Sequence, residues 1–126
     1  MSRIAFIFPG QGAQVCGMGQ DFYENSPLAR KIYDEAGKTL DLDMKDLCFA
    51  ENDKLDLTEY TQAALVTTTL AMTRVVEEHG IHADMTAGLS LGEYSAIAAA
   101  GGMTEIDAIR LVRKRGILMQ NTVPAG

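Results

Sequence analysis

Apolar positions change their spacing several times along the chain, and each change marks an element. Ile4 to Phe8 form an unbroken apolar run stopped by Pro9-Gly10; apolar character without alternation predicts a strand of a parallel sheet, buried on both faces. A glycine-rich turn follows, with Gly10, Gly12, Gly17 and Gly19, and Ser26-Pro27 then opens a helix whose apolar positions Leu28, Ile32, Ala36 and Leu40 recur every four residues. The acidic stretch 41–56 keeps no sustained period and is expected to be a connection with one short helix near 45–49. From about Glu59 to His79 the pattern is helical and apolar nearly all round, notably Ala63-Ala64-Leu65-Val66 and Leu70-Ala71-Met72, with Thr58 as its expected cap and Gly80 as its stop. Such a helix belongs in a core. Met85-Thr86-Ala87 is a short strand leading into Gly88-Leu89-Ser90-Leu91-Gly92 and a helix over 93–100 closed by Gly101-Gly102. Thr104 and Asp107 form a capping-box-like pair for a last helix reaching about Asn121, ahead of Pro124.

Composition narrows the classes. The chain has 126 residues, 47% of them hydrophobic, and 17 acidic against 11 basic residues give a net charge of −6. That suits one globular domain with a modest core. The negative balance argues against nucleic-acid and anionic-membrane partners. No window reaches the roughly 18–20 apolar residues of a membrane span, and residues 2–10 are too short an apolar stretch for a signal peptide, so a cytoplasmic setting is expected. Cys16 and Cys48 stand far apart with no Cys-x-x-Cys pair, which points to two semi-buried thiols and to no metal site or disulfide framework.

Three places carry candidate chemistry. Gly88-x-Ser90-x-Gly92 between a strand and a helix fits a nucleophile elbow, in which the serine sits on a sharp turn and the following amide, that of Leu91, faces a developing oxyanion. The plainer alternative is a tight turn whose serine caps the helix. The loop after Phe8 should lie at the same sheet edge, where the backbone N–H of Gln11 would supply a second oxyanion donor. A phosphate-binding loop fits worse, because Val15 stands where a dinucleotide fingerprint needs Gly or Ala, and Met18 where a P-loop needs Lys. On the last helix Ala108, Leu111, Val112, Leu118 and Met119 are expected to share one face with Arg115 in its middle. A guanidinium there needs a partner, either a structural carboxylate such as Glu93 or a substrate carboxylate held by two parallel N–H bonds.

Pro9-Gly10-Gln11-Gly12-Ala13-Gln14, Thr61-Gln62-x-Ala64-Leu65, Gly88-x-Ser90-Leu91-Gly92-Glu93-Tyr94 and Val112-Arg113-x-Arg115-Gly116 occur in that order. Together they resemble the malonyl-CoA:acyl carrier protein transacylases of fatty acid synthesis and the acyltransferase domains of polyketide synthases. The resemblance covers essentially the whole chain. It implies an α/β hydrolase-like fold, partial here, with parallel strands and a nucleophile elbow but without the family's ferredoxin-like subdomain. Residues 1–126 would be the amino-terminal segment of one incomplete acyltransferase domain.

The resemblance also implies roles. Ser90 would carry the malonyl group as an ester between malonyl-CoA, a substrate rather than a cofactor, and the phosphopantetheine thiol of acyl carrier protein. Gln11 and Leu91 would form the oxyanion hole, Arg115 would bind the free malonyl carboxylate, and Gln62 would line the site. Leu89 stands where the family commonly has His. The family's catalytic histidine lies beyond the position of Gly126. His82 precedes the elbow by a strand length, roughly 20 Å at about 3.3 Å per residue, and His79 lies on the same wrong side, so both are expected on the surface. The segment is therefore expected to be inactive unless the rest of the protein or a complementary chain supplies the base. It is also expected to expose an apolar sheet edge. Arg110, Arg113 and Lys114 are weak candidates for contact with the carrier protein. The alternatives are a polyketide-type acyltransferase segment and a non-catalytic binding module.

Overall fold

The computed structural model describes residues 2–122. Strand β1 (Ala5–Phe8) is followed by the helices α1 (Gln20–Asn25), α2 (Pro27–Leu40), α3 (Met44–Phe49) and α4 (Thr58–Glu78). Strand β2 (Met85–Gly88) then leads into α5 (Gly92–Ala99) and α6 (Glu105–Thr122). The strands pair in parallel, Ala5 with Met85 through Phe8 with Gly88. This is the α/β class expected, with parallel strands joined through helices. The start of the pair is clamped twice: Ile4 N–H donates to Asp84 Oδ2 at 2.7 Å, and Asp84 N–H to Ile4 O at 2.7 Å.

A two-stranded sheet is marginal by itself, so the helices hold the molecule together. Every residue of α4 from Thr61 to Thr68 is buried, as its all-round apolar pattern predicts. Against α4 pack Ala29, Ile32, Tyr33 and Ala36 of α2, Leu47 and Cys48 of α3, and Ala108, Ile109 and Val112 of α6. Each large side chain buried in this way contributes roughly 1.5–3 kcal/mol. The Tyr33 hydroxyl donates to Thr68 Oγ1 at 2.7 Å, so the core's one fully buried phenol has a partner.

Several details depart from expectation. The β1 run is not buried on both faces: Phe8 is buried, but Ile7 is 79% exposed, because among the described residues no third strand or helix covers that side. An exposed apolar sheet edge was expected; among the described residues both outer edges of the pair are unpaired, and the face at Ile7 is bare as well. Helix α1, directly after the glycine-rich stretch, has no apolar period to announce it. Thr58 does not cap α4. Leu57 takes that position, Thr58 is the first helical residue, and its Oγ1 accepts from Gln11 Nε2 at 2.8 Å. Ser26 does cap α2, and Thr104 Oγ1 does accept from Asp107 N–H. Pro124 lies outside the described residues. The thiols differ: Cys16 is exposed, whereas Cys48 is fully buried, and burial pushes its pKa up to about 12 despite a hydrogen bond with Thr68. No described helix is long and apolar enough to cross a membrane.

Candidate active site

Ser90 sits between β2 and α5 with φ of 49°, one of two non-glycine residues in the left-handed region among the described residues. The flanking glycines explain how so sharp a turn closes. A Cβ on Gly88 would lie 2.1 Å from the Gly92 carbonyl carbon, and one on Gly92 would lie 2.3 Å from Phe8 O. Neither position tolerates a side chain, since the turn, the start of α5 and the end of β1 touch backbone to backbone. Leu89 N–H donates to Phe8 O at 3.3 Å, fastening the turn to the first strand.

The side chain of Ser90 is exposed. It does not cap α5 by accepting from a backbone N–H in the first turn; the N-cap of α5 is Leu91, which has no side-chain cap bond. Ser90 Oγ instead lies 3.4 Å from Arg115 Nη2. Arg115 reaches it from α6, half-buried, with its other terminal nitrogen donating to Gln62 Oε1 at 2.8 Å and its guanidinium carbon 5.4 Å from the centre of the Tyr94 ring. Gln62 belongs to α4, is 0% exposed, and donates from Nε2 to Met119 Sδ at 3.2 Å. Three helices thus converge on the serine. Arg115 has no ion pair among the described residues, so Glu93 is not its partner; its charge is held by a neutral amide and an aromatic face.

The loop after β1 lies beside the turn, since the Cβ that Gly10 lacks would be 2.8 Å from Leu89 O. Its Gln11 side chain turns away to Thr58. Among the described residues, the backbone N–H groups of Gln11 and Leu91 have no backbone or side-chain acceptor. Both histidines are exposed: His79 ends α4 and His82 precedes β2, at the strand end opposite Ser90.

The expected apolar face of α6 divides in two. Ala108, Ile109, Val112 and Gly116 are buried, while Leu111, Leu118 and Met119 remain exposed on Arg115's side. Close helix approach at Gly116 causes the split: a Cβ there would come within 2.7 Å of Thr58 O on α4. Arg113 is bound locally, donating to Glu59 O and stacking 4.8 Å over Tyr60, so it is a structural contact rather than a free docking charge. Tyr94 stands in the quoted elbow motif and Met119 on the expected face of α6, but neither was read as a partner of Arg115. The signal that could have found that role is four-residue spacing, from Ser90 and from Arg115 respectively.

A serine on a left-handed turn between a parallel strand and a helix, packed against the end of a neighbouring strand, defines an α/β domain of the nucleophile-elbow type. Within that class the chain belongs to the acyl transferase domain family, which matches residues 5–126. Similar proteins include the malonyl CoA-acyl carrier protein transacylase of Bacillus subtilis (strain 168), 50% identical over all of this chain and 40% of that protein, and that of Staphylococcus aureus (strain N315), 45% identical over 41% of its length. Among solved structures, the Streptococcus pneumoniae MCAT is 47% identical with a TM-score of 0.93, covering 97% of this chain and 40% of that one. A malonyl-transacylase solved in complex with a type II PKS acyl-carrier protein is 41% identical with a TM-score of 0.91, over 99% of this chain and 41% of that one. The chain spans about 40% of the length of the curated relatives it matches.

Proposed function

We propose that this chain is the serine-bearing segment of an [acyl-carrier-protein] S-malonyltransferase of cytoplasmic fatty acid synthesis. The observation that carries the reading is the Arg115 cation, held by neutral partners within 3.4 Å of an exposed elbow serine. A guanidinium with no carboxylate of its own, beside a nucleophile, suits an acyl group that ends in a free carboxylate.

In this mechanism Ser90 Oγ attacks the thioester carbonyl of malonyl-CoA and loses its proton to a general base. The negative oxygen is stabilised by the N–H groups of Gln11 and Leu91, each such donor typically worth about 3 kcal/mol of barrier. The carbon–sulfur bond breaks, coenzyme A leaves as the thiol, and a malonyl-serine ester remains. The phosphopantetheine thiol of acyl carrier protein attacks this ester, and Ser90 recovers its proton as the malonyl thioester departs. Throughout, Arg115 grips the distal carboxylate while Gln62 and Tyr94 fix its plane. No cofactor enters these steps. The base is a histidine supplied from outside these residues, by the rest of the same protein or by a complementary chain.

The test uses the segment completed with a histidine-bearing carboxy-terminal part, incubated with malonyl-CoA. Intact-mass analysis should find one malonyl group, located on Ser90 and absent from Ser90→Ala; labelling elsewhere rejects the reading. Arg115→Ala should depress malonyl-CoA use relative to acetyl-CoA use by about 100-fold, the scale of a lost charge-assisted pair. An equal loss for both substrates rejects the carboxylate role. A segment without the base should acylate little or not at all, and binding without acylation in the completed enzyme would favour a non-catalytic module. The likeness to a transacylase solved with a polyketide carrier protein favours a second reading, in which the acceptor is a polyketide carrier; comparing the two carriers as acceptors separates them.

A further inference from the structure

The geometry points to Met119 as a positioning residue that holds the donor end of the Gln62 amide, keeping its acceptor end on Arg115 and so steadying the plane of the guanidinium beside Ser90. A glutamine amide has a donor end and an acceptor end of nearly the same shape, so packing alone does not choose between them. Here both neighbours choose. Arg115 has only protons to offer, so Oε1 must face it, and Nη1 donates to Oε1 at 2.8 Å. That leaves the NH₂ end of a side chain that is 0% exposed. An unpaired donor at such depth costs about 1–3 kcal/mol. Met119 Sδ lies 3.2 Å from Nε2 and is an acceptor with no proton of its own, so it can face only that end.

The arrangement follows from helix geometry. Arg115 and Met119 are four residues apart on α6 and share a face. Between them lies Gly116, where α6 comes close against the start of α4. The Gln62 amide is therefore gripped at its two ends by one turn of the facing helix. The result is a directed chain: Gln62 Nε2–H to Met119 Sδ, Arg115 Nη1–H to Gln62 Oε1, Arg115 Nη2–H to Ser90 Oγ. Its consequence for catalysis rests on the carboxylate reading of Arg115 given above; the positioning itself does not.

The experiment follows the Gln62 side-chain amide and Arg115 guanidinium resonances of the isotope-labelled chain in Met119→Leu and Met119→Gln. Leucine keeps the bulk and removes the acceptor; glutamine restores an acceptor oxygen. In Met119→Leu, exchange of the Arg115 Nη protons with water should quicken on the order of tenfold, as for loss of a hydrogen bond of moderate strength, and Met119→Gln should bring it back most of the way. If leucine leaves the Arg115 and Gln62 signals as in the parent, or glutamine loosens them as fully as leucine does, the inference is overturned. A restored signal in Met119→Gln alongside an Arg115→Ala enzyme that keeps its preference for malonyl-CoA would uphold the positioning and reject the carboxylate reading. The two ideas thus fail separately.

Discussion

Ser90 keeps a Cβ where the backbone favours none. At φ of 49° an L-residue crowds its own carbonyl, at a cost of about 1–2 kcal/mol. The strain is held in place by the flanking glycines, whose backbones contact each other and Phe8. Ser90→Ala and Ser90→Gly both remove the hydroxyl, but only the second removes the crowding. Ser90→Gly should therefore be the more stable of the two by on the order of 1 kcal/mol, after allowing for glycine's greater freedom when unfolded. Matched denaturant titrations measure the difference, and equal midpoints would show that the turn stores no strain. The serine and its glycines were legible in the sequence because close approach demands glycine at fixed offsets. The partner of Arg115 was not: two helices distant in sequence bring Gln62 to it, and no local spacing encodes which polar group meets a cation across a helix pair.

At the scale of elements, Arg74 on α4 ties three helices together. Its Nε donates to Glu105 Oε1 at 2.5 Å at the start of α6, Nη1 to Glu77 at 2.6 Å, and Nη2 to Ala98 O at 3.1 Å near the end of α5. Burial opposes both charges, yet hydrogen bonding and Coulomb attraction outweigh it, so the Glu105 carboxyl titrates below its ordinary range and the Arg74 guanidinium above. A carboxyl with a depressed folded-state pKa contributes stability above its unfolded pKa, near 4.5, and loses it as pH falls through the folded value. The melting temperature of the parent should exceed that of Glu105→Gln above pH 5, and the gap should narrow as the pH drops below about 4.5. A gap that stays constant from pH 7 to 3 would mean that the carboxylate charge contributes nothing. The long helices followed from periodicity and end signals, β1 from an unbroken apolar run, and β2 from its place ahead of the glycine–serine turn; α1 had no such signal, because six residues without a buried face make no pattern. The face of α6 was drawn too wide, since Leu111 and Met119 share Arg115's side but not the buried stripe, which Gly116 shifts toward α4.

Across the whole molecule, the helices are well covered and the sheet is not. Ile7, Met85, Leu89 and Ile97 leave apolar surface around a pair of strands that has two open edges among the described residues. Unsheathed strands of this kind tend to find one another. Sedimentation of the chain should show association that grows with concentration, and Ile7→Thr, which keeps a β-branched residue, should weaken it by about tenfold, roughly the worth of the apolar area removed. A parent chain that stays monomeric at every concentration would show that its net negative charge suffices to keep copies apart. The exposed face was foreseeable from a strand pattern richer in apolar residues than two strands can use.

The clamp between Ile4 and Asp84 spans 80 positions. A ribosome adding roughly 5–20 residues per second would need on the order of ten seconds to deliver β2 after β1 has appeared. During that interval Ile4 to Phe8 is a greasy ribbon awaiting its mate, and the backbone against which the serine turn must brace has nothing to hold it. The Ser90 turn thus cannot be finished before β2 has emerged and paired, and whatever shields the first strand until then governs how many chains acquire it.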